Sequence, residues 1–212
     1  MREREVGRSV HGAPIVAHDF GGGDCALLVF GAIHGDEPES AILCTRFISK
    51  LRQSDVKERI IMIPVLNPDG LAAQTKDNAR GVDLNRNFAA RSWAREHKAG
   101  YFPGEHPLSE PEAAALAALV ERERPRVVVA VHQPFRCVNW DGPAESLAAR
   151  MSEACGYPAV ASVGYPTPGS FGAWWGIDRA RTTITLELPR AVEESDYDGC
   201  LRALDCAKLF AP

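Results

Sequence analysis

The chain has 212 residues, 45% of them hydrophobic and 25% charged, with a formal net charge of −4. That length suits one domain with a full core, and the balance is that of an ordinary globular protein rather than a disordered or fibrous one. The absence of a basic run argues against nucleic acid as a partner, and no apolar stretch is long enough to span a membrane or to form a signal peptide behind Met1-Arg2-Glu3-Arg4-Glu5. The expectation is therefore a single domain over residues 1–212, in the cytoplasm, with no nucleic-acid or membrane partner. The six cysteines at 25, 44, 137, 155, 200 and 206 include no Cys-x-x-Cys pair and lie mostly in apolar segments. They read as small buried hydrophobes in a reducing compartment.

Residues 5–18 read as two short strands around the turn Gly12-Ala13-Pro14. The triple glycine at 21–23 lacks phosphate-loop spacing and leads into an apolar run, 25–33, which reads as a buried strand of a parallel sheet. His34-Gly35-Asp36-Glu37 follows, then a helical period over 38–52. A second buried strand at 60–66 ends in the turn sequence Asn67-Pro68-Asp69-Gly70. The stretch 71–107 is polar and aperiodic, and so long an irregular segment in a compact domain is usually functional. Ser109-Glu110-Pro111-Glu112 has the form of a capping box opening a helix to about Arg122. A third strand at 126–132 delivers His132 at its end. A helix over 143–155, a short strand near 158–163, a Gly/Pro/aromatic loop at 164–176, a strand at 182–188 and a helix near 196–209 complete a three-layer α/β chain.

His34, Glu37, His132 and Glu187 thus stand at or near strand ends, where open α/β sheets bind ligands. Two imidazoles and a carboxylate can hold a catalytic zinc with one position left for water. Taken alone, His34 and Glu37 are equally a hydrogen-bonded turn residue and an acid at a helix start. Glu187 sits in an apolar strand end, where a carboxylate is costly without a partner or a task; it is the candidate base, unless an arginine pairs with it. In the aperiodic stretch, Asp83 can accept from a zinc histidine. Arg80 is the candidate cation for the developing oxyanion, and Asn85 with Arg86 can grip a carboxylate. Trp140, Trp174 and Trp175 are candidates either for pocket walls or for core packing.

The set His34-Gly-Asp-Glu37, Asn67-Pro-Asp-Gly70, Gly81-Val-Asp-Leu-Asn85-Arg86-Asn-Phe88, His132 and Glu187, in that order, resembles the zinc carboxypeptidase (carboxypeptidase A-like) family. Ser162–Trp174 and Ile184–Pro189 narrow the resemblance to its murein peptide amidase branch. The resemblance implies a mixed sheet of about eight strands flanked by helices, one zinc per chain held by His34, Glu37 and His132, and Glu187 as the catalytic glutamate. It further implies Asn85 and Arg86 as the carboxylate clamp, Asp83 behind a zinc ligand, Arg80 polarising the carbonyl, Tyr165 as a mobile substrate-binding tyrosine, and a cis bond at Gln133–Pro134. The substrate so implied is a small peptide with a free carboxylate, cut at the γ-D-glutamyl–diaminopimelate bond during wall-peptide recycling. Residues 133–141 depart from the branch's pattern, which opens the choice of leaving group. Two other readings remain: a deacylase of N-acyl amino acids, like aspartoacylase or succinylglutamate desuccinylase, and a metal-free binding module keeping the fold.

Overall fold

Apolar strands with branched side chains form the centre of the molecule, as their sequences require. In the computed structural model, which describes residues 1–210, eight strands make one mixed sheet. They are β1 (Arg2–Arg8), β2 (Pro14–Phe20), β3 (Gly22–Phe30), β4 (Glu58–Ile63), β5 (Val127–His132), β6 (Phe135–Asp141), β7 (Ala159–Val160) and β8 (Thr182–Pro189), in spatial order β1-β2-β4-β3-β5-β8-β6-β7. The central four, β4-β3-β5-β8, are parallel. β2 and β6 flank them in antiparallel fashion. The helices are α1 (Pro38–Arg52), α2 (Pro68–Ala73), α3 (Pro111–Glu123), α4 (Glu145–Cys155) and α5 (Glu194–Lys208).

Period-two alternation sends β3 side chains to two cores. Leu27 and Val29 pack with α1, α4 and α5, while Leu28 and Phe30 pack with α3 and the aromatic group Phe88, Phe171 and Trp174. From β3 the chain passes through α1 to β4 on one side and later returns to β5 on the other. The crevice between the carboxyl ends of β3 and β5 is therefore a topological switch point, the place where such sheets take ligands.

Four local expectations differ from the structure. Asn67-Pro68-Asp69-Gly70 starts α2, with Asn67 Oδ1 accepting from Gly70 N at 2.9 Å. The Ser109 capping box does not form: Ser109 Oγ donates to Glu110, and Glu112 is occupied by Val10 N and Asn78 Nδ2. Residues 135–141 form β6, which no expected element covered. Its polar Asn139 and Asp141 face a cavity while Val138 and Trp140 face the core, so the apolar alternation is weak. Within 164–176, residues Gly172–Ile177 wind into a π-helical turn packed on the sheet.

The turn after β3 is over-determined. Leu66 N and Asn67 N donate to the carbonyls of Gly31 and Ala32, and Asn67 Nδ2 donates to Ile33 O. Ser40 Oγ accepts from Ala32 N and donates to Glu37 O. Gly35 lies directly on the Gly70 backbone, where any Cβ would collide. Gly35→Ala should therefore destabilise the protein by about 1–3 kcal/mol, lowering Tm by roughly 2–4 °C per kcal/mol for a chain of this size. A calorimetric scan checks this, and an unchanged Tm would show that the turn yields easily.

Candidate metal centre and active site

Each candidate ligand sits where the backbone places it. His34 lies on the turn beyond β3, Glu37 immediately precedes α1, and His132 is the last residue of β5. Their ligand atoms all lie within 4.8 Å of one another. His34 Nδ1 is 2.8 Å from Glu37 Oε1, and His132 Nδ1 is 3.0 Å from Glu37 Oε2. The second ring nitrogen of His34, Nε2, lies 3.1 Å from Asp83 Oδ1, which leaves Nδ1 to face the centre. Two imidazoles and a carboxylate, with one imidazole braced by an acid behind it, fit a catalytic zinc ion.

The electrostatics agree with three groups gathered around a missing positive charge. Burial would depress the His34 pKa, but the Glu37 and Asp83 carboxylates outweigh it and push it up to about 10. Burial would likewise raise Glu37, yet the two imidazoles pull it down to about 2. Asp83 is wholly buried and is also held low, by His34 first and then by Arg86 and Lys76, against the cost of burial.

Glu187 stands on β8 directly beside His132, in parallel register. Adjacent strands lie roughly 4.8 Å apart, so the acid faces the ligand cluster across one strand spacing. Among the described residues it has no ion pair; only Phe135 N donates to it, at 3.4 Å. Burial pushes its carboxyl above the ordinary range, with Glu37 adding to the rise and His132 opposing it. The alternative of an arginine partner is thus not realised.

All of these groups except Asp83 line one cavity of about 370 Å³, together with Asn85, Arg86 and Tyr165. Asn85 Oδ1 accepts from Phe171 N at 3.0 Å, leaving its amide NH₂ without an acceptor among the described residues. Arg86 is 95% buried, donates from Nη1 to Asn85 O, and makes no ion pair among the described residues. A buried guanidinium without an acid is costly, and a ligand carboxylate would complete it. Tyr165 is partly exposed at the rim, its ring edge-on to Phe135 at 6.1 Å. The Gln133–Pro134 bond is cis, as the resemblance implied.

Arg80 is placed elsewhere. Its side chain is 55% exposed and reaches Glu110 at 3.6 Å, outside the cavity lining. The reason is local: Asn78 Oδ1 accepts from Arg80 N and Val82 N, curling the chain so that Arg80 turns outward. Besides Arg86, the cavity is lined by a second cation, Lys76, which the sequence reading passed over. Its Nζ donates to Asp83 Oδ2 at 2.5 Å and to Gly100 O at 2.7 Å, and lies 3.9 Å from the Tyr101 ring centroid. A signal was available: Lys76 lies in the same aperiodic stretch, seven residues before Asp83. The three tryptophans do not line the cavity; Trp174 and Trp175 are core residues and Trp140 packs against the other core.

Residues 1–146 match the zinc carboxypeptidase family. Murein peptide amidase A of Escherichia coli K12 is 36% identical over 197 residues, covering 86% of this chain and 79% of that protein. The crystal structure of murein-tripeptide amidase from Escherichia coli O157 superposes with a TM-score of 0.81 at 32% identity, covering 100% of this chain and 93% of that one. An aspartoacylase family protein from Mesorhizobium loti shares the fold, with a TM-score of 0.71 at 20% identity over 97% of this chain and 66% of that one.

The purified protein should carry one zinc per chain by inductively coupled plasma mass spectrometry. His132→Ala should lose stoichiometric metal even after zinc supplementation, because one imidazole and one carboxylate do not make a catalytic zinc set. Tight zinc retained by that variant would remove His132 from the ligands.

Proposed function

The chain belongs to the zinc carboxypeptidase family, and from that premise we propose that it is a murein peptide amidase, hydrolysing the amide bond between γ-D-glutamate and diaminopimelate in small wall-derived peptides. The observation that carries this reading is one cavity holding a His-Glu-His cluster, a buried unpaired Glu187 and a buried unpaired Arg86. The 36% identity to a murein peptide amidase over 86% of the chain favours it over the deacylase, to which the sequence likeness spans 35% of the chain and the remaining likeness is one of fold.

His34, Glu37 and His132 would hold a single zinc. When bound, the ion supplies a Lewis acid that acidifies water and polarises a carbonyl. The chain's own residues do the rest. Arg86, with the free amide of Asn85, takes the carboxylate next to the scissile bond through paired hydrogen bonds, and so sets the register of the substrate. Glu187, its proton affinity raised by burial, removes the proton from the attacking water and passes it to the leaving amine. Lys76 faces the same space and offsets the negative charge that develops on the carbonyl oxygen, the task the sequence reading had given to Arg80. Tyr165 closes the rim over the bound peptide. Asp83 holds His34 and Lys76 together, one oxygen to each.

The peptide substrate needs no nucleic acid or membrane partner, and no helix among the described residues is long and apolar enough to cross a membrane. Six free thiols, four of them buried, agree with a reducing, cytoplasmic site of action in wall-peptide recycling.

Incubation with L-Ala-γ-D-Glu-diaminopimelate should release free diaminopimelate, detected by mass spectrometry; an intact tripeptide beside zinc-loaded protein would overturn the reading. Glu187→Gln should keep its zinc and lose on the order of 10²- to 10⁴-fold in kcat. Lys76→Ala should lower kcat on the order of 10²-fold, with partial recovery in Lys76→Arg. A rate for Lys76→Ala equal to that of Arg80→Ala would return the two cations to equal standing.

A further inference from the structure

Below the catalytic groups, β6 and β8 continue the same cavity wall. Glu187 pairs with Cys137, Thr185 with Asn139, and Thr183 with Asp141, each pair two residues further from the strand end and on one face of the sheet. Asn139, Asp141 and Thr185 line the cavity. Asn139 spends its amide NH₂ on Val160 O at 2.9 Å, which leaves its carbonyl oxygen as an acceptor. Asp141 is half-buried in the cavity wall and has no hydrogen-bond donor and no ion pair to its side chain among the described residues. Burial raises its carboxyl pKa.

The space around Asp141 is made by absent side chains. A Cβ on Gly172 would strike Asp141 Oδ2, and one on Gly176 would strike its Cβ. Both glycines belong to the π-helical turn, whose entry also touches the carboxylate clamp: Phe171 N donates to Asn85 Oδ1. Phe171 and Gly172 are consecutive, with Cα atoms about 3.8 Å apart. The clamp and Asp141 therefore stand on either side of one short piece of backbone, separated by the reach of a single long side chain. At one end are the buried guanidinium of Arg86 and an amide donor. At the other end are a carboxylate and an amide carbonyl, with no cation beside them.

We propose that Asp141, with the Asn139 carbonyl, accepts the distal ammonium of the leaving amino acid, so that this pocket selects a diamino acid over one with a neutral side chain. The inference rests on the amide-hydrolysis reading above and adds to it the residues that choose the leaving group. A half-buried carboxylate with no donor from the protein is free to pair with an incoming ammonium through charge-assisted hydrogen bonds, as Arg86 is free to pair with the substrate carboxylate. The two ends then read the leaving group as a dipolar chain, with the negative group at Arg86 and the positive one at Asp141.

The test uses zinc-loaded protein and three tripeptides, L-Ala-γ-D-Glu-X, in which X is meso-diaminopimelate, L-lysine or L-norleucine. Lysine and norleucine have closely similar chains and differ in the distal ammonium. In the wild type, kcat/KM for lysine and diaminopimelate should exceed that for norleucine by on the order of 10- to 100-fold, the worth of a charge-assisted hydrogen bond. In Asp141→Asn, a near-isosteric change, the lysine-to-norleucine ratio should fall towards one, mainly through KM, while stoichiometric zinc is retained. Equal rates on lysine and norleucine in the wild type, or a ratio that survives Asp141→Asn, overturns the assignment of Asp141 and leaves the amidase reading intact. If no tripeptide is cleaved, the amidase reading fails instead. Titration calorimetry with free lysine and free norleucine then decides Asp141 by itself: preferential binding of lysine that Asp141→Asn abolishes supports it, and equal binding refutes it.

Discussion

The structure depends on a carboxylate held between two imidazoles. Glu37 offers one oxygen to His34 and the other to His132, and these three residues come from the ends of different elements. Bringing a carboxylate so far out of water is costly unless positive charge compensates it. In this fold the compensation comes from histidines that would themselves resist charging if buried alone. Such a set is suited to enclose a divalent cation. The switch point between β3 and β5 makes the meeting possible, since the two strands are adjacent and parallel, so the turn beyond β3 and the last residue of β5 reach one crevice.

Around that centre, asparagines do much of the positioning. Asn67 ties the β3 turn to the start of α2. Asn78 curls the 78–82 segment and donates to the buried Glu110 and Glu112. Asn87 donates to Pro103 O, His106 O and Ser109 Oγ and accepts from Glu110 N. An irregular segment cannot satisfy its backbone by a ladder, so it needs side chains with both donors and acceptors. The long aperiodic stretch is thereby as fixed as a helix, and it presents Lys76, Asp83, Asn85 and Arg86 with defined orientations.

The cavity is a space of paired debts. Among the described residues, Arg86 is buried without an acid, Glu187 is buried with one weak donor, and the half-buried Asp141 has no cation. In a structural core each would be an anomaly. Gathered in one concavity beside a metal-ligand cluster, they describe the ligand by its complement: a carboxylate, an ammonium and a scissile amide between the cluster and Glu187.

Much of this was legible in the chain before any coordinates. Apolar runs ending in His34 and His132 announced buried strands with ligands at their tips, and Glu187 was conspicuous because charge is rare in so apolar a strand end. Motif order conveyed the family, and with it the residues proposed as zinc ligands and clamp, because these chemistries demand particular residue types. Three features were decided in three dimensions. Arg80 and Lys76 lie four residues apart in an irregular segment, and only the Asn78 turn determines which one faces the cavity. β6 escaped notice because its apolar-polar alternation is confined to the four residues Val138–Asp141, behind Pro134 and the exposed, left-handed Arg136. Asp141 acquires meaning solely from the glycines that leave it room and from the lack of any cation nearby. Sequence determines what a residue can do and which strand end carries it; which side chains share a space follows from the packing of segments distant along the chain, where no periodicity links one to the other.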